Sequence, residues 1–186
     1  MLHTSTLPSR LEAQARVPRG TLPDVPSRQL SLLVDGSHIR IDPATPSDIN
    51  ELLPLMREFY AGERLPWDET LLRRALADLW DQPLHGGVWL ARGGAEAVGY
   101  GVLCCGFSLE YGGRDAFVDE LYVRPGWRDR GIGNRLLDAM EACCRASGVV
   151  ALHLEVDHDN PDGRRLYARR GFVDHRRHLM TKWLDR

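Results

Sequence analysis

From residue 38 onward the chain passes between two hydrophobic rhythms, a period of two that marks strands and a period near 3.6 that marks helices. His38 to Ile41 alternates polar and apolar as a short strand does. ATPSDINELLPLMREFYAG then supplies helix punctuation: Thr45 or Ser47 can cap, Pro46 suits a first helical position, and Asp48 belongs in the positive first turn. Ile49, Leu52, Leu53, Met56 and Tyr60 repeat at helical spacing, and Pro54 either kinks this helix or marks its true start. A second helix is predicted from Asp68 to Leu79, with Leu71, Leu72, Ala75, Leu76 and Leu79 on one face. The loop AGERLPW between the two helices is a candidate substrate rim.

Val88 to Ala91 and Ala97 to Cys105 are apolar runs flanking a Gly-rich turn, which reads as a strand, a tight hairpin and a strand. SLEYGGRD makes another turn before Ala116 to Val123, giving a three-stranded antiparallel meander. Ile132, Leu136, Leu137, Met140 and Cys143 or Cys144 then mark the buried stripe of a helix ending near Gly148, and VVALHLEV is a strand. A strand, crossover helix and strand in succession imply one parallel pair, so the fold class is α/β (α+β): a mixed, mostly antiparallel sheet flanked by helices. Asn160-Pro161 opens a last helix through Arg169, Gly171 closes it, and a hairpin from Phe172 to Trp183 is expected to complete the chain.

Composition narrows the class without choosing a partner. A chain of 186 residues fits one domain, taken as residues 36–186, and residues 1–35, rich in proline and arginine without a sustained apolar period, read as a flexible tail. That tail has arginines and few acids, as a transit peptide does, but no continuous apolar centre like that of a secretory signal. A formal charge of -2 gives no general pull toward nucleic acid or acidic lipid, and no apolar run reaches the about 20 residues that cross a bilayer. The four cysteines, two adjacent pairs at Cys104-Cys105 and Cys143-Cys144, show neither CxxC nor zinc spacing and read as buried apolar residues in a reducing cytoplasm. His153 and His158, beside Asp157 and Asp159, match no standard metal spacing, so no metal is expected.

The chemistry-bearing stretch is FVDELYVRPGWRDRGIGNRLL, residues 117 to 137, a buried strand, a turn and the start of an amphipathic helix. Backbone amides at a glycine-relieved helix N-terminus, with Arg128 and Arg130 adding charge, make an anion site suited to phosphate. It is not a P-loop: Gly126 and Gly131 have the right separation, but Ile132 stands where lysine is needed. Nor is it a dinucleotide fingerprint, because Leu136 replaces the third glycine after Gly131-x-Gly133.

The pattern Arg128-x-x-Gly131-x-Gly133 after Leu121-x-Val123-x-Pro125 resembles the central motif of the GCN5-related N-acetyltransferase (GNAT) superfamily. A second stretch, Asn160-x-x-Gly163-x-x-Leu166-Tyr167-x-x-x-Gly171-Phe172, resembles the family's later helix, and the likeness spans roughly residues 38 to 183. The resemblance implies the GNAT fold and acetyl-CoA as cosubstrate. Strand residues Leu121, Tyr122 and Val123 would line the pantetheine arm, with Arg128, Asp129, Arg130, Gly131, Ile132, Gly133 and Asn134 at the phosphates. Asp129 departs from the glycine many members carry, and Gly163 from the usual alanine. Asn160 and Tyr167, seven residues apart, can face one ligand.

Acetyl transfer from a thioester needs a free amine, stabilisation of the oxyanion and an acid for the leaving thiolate. Tyr167 matches the tyrosine that protonates that thiolate in many members. Asp119 and Glu120 are candidates for the base, and strict alternation lets one of them reach the site directly. Asp119, on the side of Leu121 and Val123, is placed just ahead of Glu120. Glu58, Tyr60 and Glu63, with Glu110 and Tyr111, are candidates to bind a cationic amine. The expected reaction is direct transfer to a primary amine of a small molecule such as a polyamine, an amino acid derivative or an aminoglycoside. A protein or peptide acceptor, a non-catalytic acyl-CoA sensor and a protein-interaction domain are the alternatives, and a homodimer stays open.

Overall fold

A computed structural model describes residues 30–34, 37–175 and 177–184. Most of the stretch read as a tail therefore lies outside the described residues. Its end does not behave as one: Leu30–Val34 is a strand (β1) paired antiparallel with Ser37–Pro43 (β2). Five residues are too short to show a period, and the ladder offered by β2 is what orders them.

The sheet continues in chain order through Gly86–Gly93 (β3), Glu96–Ser108 (β4), Gly113–Val123 (β5) and Ala151–Leu154 (β6). Every neighbouring pair is antiparallel except β5 with β6, which is parallel across the helix Ile132–Ala146 (α3). The mixed sheet, mostly antiparallel with one parallel pair and flanked by helices, is the arrangement expected from the sequence.

Two apolar layers hold the sheet. On one face α3 lays Ile132, Leu136, Leu137 and Met140 against Ile39, Ile41, Leu103, Ala116 and Val118. On the other, the helix Ile49–Gly62 (α1) contributes Leu52, Leu53, Leu55 and Met56 to a cluster with Leu90, Tyr100, Val102 and Tyr122. Thr45 and Asp48 form a reciprocal capping box around a 3₁₀ turn at Pro46–Asp48, and Pro54 lies inside α1 on its exposed side. The next helix, Glu69–Asp81 (α2), is capped by Asp68, which accepts from the Leu71 N–H at 3.0 Å. Its inward face differs from the expected one: Leu72, Leu76, Leu79 and Trp80 pack inward, whereas Leu71 and Ala75 are exposed. Trp80 fixes that rotation by donating from its ring N–H to the Ala44 carbonyl at 3.0 Å.

The last helix, Pro161–Arg169 (α4), begins at Asn160 as expected. The closing hairpin is not formed: no strand occurs among the described residues of 172–184. Leu179-Met180 and Trp183-Leu184 are adjacent pairs, which cannot share one face of a strand, and all four side chains are exposed.

One irregularity positions the site. Val102 pairs with Glu120 but Leu103 pairs with Val118, so Asp119 is an extra residue, a β-bulge in β5. Ala116 and Val118 before it, and Leu121 and Val123 after it, all pack toward α3, a spacing that strict alternation forbids. Glu120 and Tyr122 turn toward α1.

Candidate active site

The bulge also marks where β5 and β6 part. Their pairing runs from Asp115 opposite Ala151 to Val118 opposite Leu154 and stops, while β5 continues to Val123. The Arg124 N–H donates to the Val98 carbonyl at 2.9 Å, which makes Val123 and Gly99 a non-hydrogen-bonded pair of the β4–β5 ladder. The N–H and C=O of Val123, and in the same phase those of Leu121, therefore face away from β4, into the opening between β5 and β6. A strand edge is left inside the molecule, with apolar side chains on one hand and a polar cluster on the other.

Beyond Val123 the chain turns through Pro125–Trp127 and enters α3. Trp127 holds the turn down. Its ring lies where a side chain at Gly93 would be, so a Cβ added there would meet the Trp127 ring. Gly131 caps α3 with φ 77°, a left-handed conformation that glycine takes without strain. With the Arg135 N–H bonded to the Gly131 carbonyl, the amides of Ile132, Gly133 and Asn134 form the first turn, whose N–H groups have no intrahelical acceptor and present the positive helix end. Asp129 holds φ 59° without being glycine, so its backbone carries strain at the position where the family pattern has glycine.

The arginines of this turn are braced. Arg128 donates from Nε to the Val123 carbonyl at 2.9 Å and lies over the Tyr122 ring at 5.9 Å, and Arg130 lies over the Trp127 ring at 5.1 Å. Asn134 directs its Oδ1 to Arg170, 3.3 Å away, leaving its backbone N–H as its contribution to the turn. Arg170 also reaches Asp138 at 2.8 Å and Glu141 at 2.6 Å, which ties the end of α4 to α3.

That tie sets Tyr167, which packs half-buried against the α3 cluster with its ring edge to Phe172 at 5.8 Å. Burial pushes its phenol above the ordinary range, so it is a protonated donor at neutral pH. Asn160 caps α4: its Oδ1 accepts the Gly163 N–H at 2.8 Å.

On the α1 face stands the feature of greatest electrostatic consequence. Glu120 is 8% exposed, and its carboxylate accepts from the Tyr60 hydroxyl at 3.0 Å and from the Tyr100 hydroxyl at 2.6 Å. Burial raises its carboxyl above the ordinary range, the two hydroxyls oppose that rise by bonding the charged form, and the Asp119 charge adds to it. Phe59 and Tyr122 pack around the same cluster, and Trp67, from the loop read as a substrate rim, meets Tyr60 edge-on at 5.7 Å. Asp119 is solvent-exposed, yet its surroundings desolvate it enough to hold its carboxyl above the ordinary range as well. The bulge corrects the expectation that Asp119 shares a side with Leu121 and Val123, and it leaves Glu120 as the enclosed carboxylate and Asp119 as the open one.

The five proposed amine ligands do not form one group. Glu58 accepts from Tyr122 at 3.0 Å and pairs with Arg124 at 2.8 Å, so its charge is committed, and its carboxyl is pulled below the ordinary range chiefly by Arg124. Tyr60 is at the centre of the site, whereas Glu63 is exposed at the C-terminal cap of α1. Glu110 and Tyr111 lie in the β4–β5 turn, at the far end of β5, about 20 Å from Glu120 at the rise of an extended strand. There Glu110 pairs with Arg177 at 2.8 Å and the Tyr111 ring meets His153 at a tilt, 4.8 Å between centroids, beside a hollow of about 200 Å³ lined by Cys104, Asp115, Phe117 and His153.

Sequence reasoning overlooked Tyr100 and Arg124. A tyrosine inside the apolar run Ala97 to Cys105 is the available signal, since a buried phenol requires a partner. Arg124 carries no local signal, because its partners Glu58 and Glu96 come from distant segments.

β5 thus parts from its parallel neighbour and leads into a glycine-capped helix turn. The chain belongs to the acetyltransferase (GNAT) family, whose model matches residues 50–172. It is 31% identical over 141 residues to the uncharacterized N-acetyltransferase YhfO of Bacillus subtilis (strain 168), covering 73% of this chain and 91% of that one. It is 30% identical over 142 residues to an uncharacterized protein of Mycobacterium leprae (strain TN), covering 76% of this chain and 36% of that relative, so this chain matches about a third of the longer protein. Among solved structures, an integron cassette protein from the mobile metagenome of Cole Harbour Salt Marsh superposes with a TM-score of 0.70 at 36% identity, covering 78% of this chain and 91% of that one. A probable acetyltransferase at 20% identity, with a TM-score of 0.69 over 79% of this chain and 99% of that one, shares the fold.

Proposed function

We propose that the protein transfers an acetyl group from acetyl-CoA directly to the primary amine of a small molecule, in the reducing cytoplasm, where its four free thiols remain reduced. The observation that carries this reading is the opening of β5 from β6 at Val118, where the Leu121 and Val123 backbones turn into the gap immediately before the α3 N-terminus. Pantetheine amides would extend the ladder along β5, and the pyrophosphate would meet the first-turn N–H groups of α3 beside Arg128 and Arg130. The Val123 N–H is the donor suited to the thioester carbonyl as it gains negative charge.

Catalysis in this reading is mainly positioning: amine and thioester are held for attack without a covalent enzyme intermediate. A carboxylate of the bulge, Glu120 or Asp119, takes the proton that makes the amine nucleophilic, and Tyr167 gives one to the departing thiolate. The enclosed setting of Glu120, beneath Tyr60 and Trp67, supports a small acceptor over a protein side chain, since a polypeptide needs an open groove.

Thiol release from acetyl-CoA across a panel of polyamines, amino acid amides, aminoglycosides and lysine peptides tests the proposal. Wild-type turnover with at least one small amine is expected, and Tyr167→Phe is expected to lose about 10²-fold in kcat with acetyl-CoA affinity retained. Tight acetyl-CoA binding with no thiol released by any amine would instead support a sensor role.

A further inference from the structure

The buried carboxylate poses a problem of access. Both of its oxygens are engaged by phenols, Tyr60 on Oε1 and Tyr100 on Oε2. Tyr100 is fully buried at 0% exposure, so it leads nowhere. Tyr60 is partly buried, placed near the end of α1 beside Trp67, and is the one of the two that joins Glu120 to the surface of the site.

From this juxtaposition we propose that Tyr60 relays the acceptor's proton to Glu120, while Tyr100 anchors the carboxylate so that Oε1 stays aimed at Tyr60. The proposal rests on the acetyltransferase reading and assigns the base of that site and the route to it. In the step, an N–H bond of the acceptor ammonium breaks and its proton forms a bond to the Tyr60 oxygen. The original Tyr60 O–H bond breaks, and that proton passes to Glu120 Oε1. Tyr60 begins and ends neutral, the ammonium becomes an amine, and the carboxylate becomes a carboxylic acid. A second proton leaves nitrogen after attack and ends on the CoA thiol, and the first returns from Glu120 through Tyr60 to solvent.

The surroundings fit a relay and not a tyrosinate base. Burial and the facing charges of Glu120 and Asp119 drive the Tyr60 phenol far above its ordinary value, so it passes a proton without ionising. The groups facing Glu120 are Tyr60 from α1, Tyr100 and Cys104 from β4 and Asp119 from its own strand. None of these is cationic; among the described residues, the Arg57 guanidinium stands at the rim, over the Trp67 ring at 5.2 Å, and the arriving proton is what neutralises Glu120. Transfer replaces an ammonium and a carboxylate by two neutral groups, a change that a desolvated site favours.

The test is the pH dependence of kcat/KM for the best small amine with wild type, Tyr60→Phe, Glu120→Gln and the double variant. Tyr60→Phe is expected to be down about 30-fold at pH 7 and less than about threefold at pH 9.5, where bulk water deprotonates the amine. Glu120→Gln should show the same recovery, and the double variant should be no worse than the poorer single one, since both cut one path. A defect that is constant across pH, or defects that multiply, would overturn the relay. If Tyr60→Phe fails to fold, the wild type alone decides: a bowl-shaped proton inventory below the acceptor's pKa reports two protons in flight, and a linear one overturns the relay. Absence of any transfer by the wild type would remove the acetyltransferase reading and the relay together. Transfer with a linear inventory removes the relay alone.

Discussion

The two faces of β5 carry out their tasks with different parts of the chain. Toward α1 the strand presents side chains: Glu120 in its phenol cage, then Tyr122 bound to Glu58. Toward α3 it presents apolar side chains, Leu121 and Val123, and between the two faces lies the backbone edge that opens from β6. Side chains change with one mutation, whereas a backbone edge persists through nearly all of them. On the proposed function, the α1 face chooses the acceptor and the main-chain edge holds the shared donor.

Glu120→Gln tests the side-chain half most sharply. It should lower kcat/KM by about 10²-fold at neutral pH while acetyl-CoA affinity, measured by calorimetry, is unchanged. Stability should move the other way. The folded-state pKa of Glu120 is raised above its unfolded value, chiefly by burial, so the ionised carboxylate opposes folding once pH exceeds that raised value. The amide removes the penalty, and the variant is expected to melt at or above the wild-type temperature at pH 8, with the advantage vanishing in mild acid. A clear loss of melting temperature at pH 8 would mean that the charge itself holds α1 to the sheet.

Gly131→Ala tests the backbone half. An added Cβ meets nothing within 4 Å, so the penalty is that of holding φ 77° alone, about 1–2 kcal/mol of stability by chemical denaturation. Acetyl-CoA should bind about tenfold more weakly, while KM for the amine at saturating acetyl-CoA stays put. If the amine KM rises as much as the donor Kd, the two faces are not separable. The smallest effect is expected from Asp129→Gly, which relieves φ 59° and removes a carboxylate beside the phosphate turn. A gain of about 1 kcal/mol in stability and a few-fold tighter acetyl-CoA binding at low salt should follow, the binding gain fading as salt rises.

The elements that the sequence disclosed best are those governed by neighbours along the chain. The stripe of α3, the Asn160 cap, the left-handed Gly171 and the parallel crossover depend on spacing within a helix or a turn, and each stands where the pattern put it. What depended on distant partners was harder to read. The inward face of α2 is set by Trp80 reaching Ala44, which the run of leucines does not reveal. Glu110 and Tyr111 follow the same strand pair as the site but occupy its other end, because a turn adjacent in sequence to β5 lies a full strand length from Glu120. The bulge is invisible to periodicity, since counting by twos presumes that no residue is extra. That one assumption reversed the relation of Asp119 to its neighbours.

The bulge bears on how such a cleft arises. Removing Asp119 from the chain would leave Val118 beside Glu120, and every side chain would keep the face it now has. What would vanish is the local bend, and with it the reason β5 leaves β6 one residue after their last pair. The opening is thus specified by a length, a single added peptide unit, more than by the identity of the residue that fills it. A gap made this way can be inherited while its lining is rewritten; on the proposed function, acceptor preference would drift while the donor's place stays fixed.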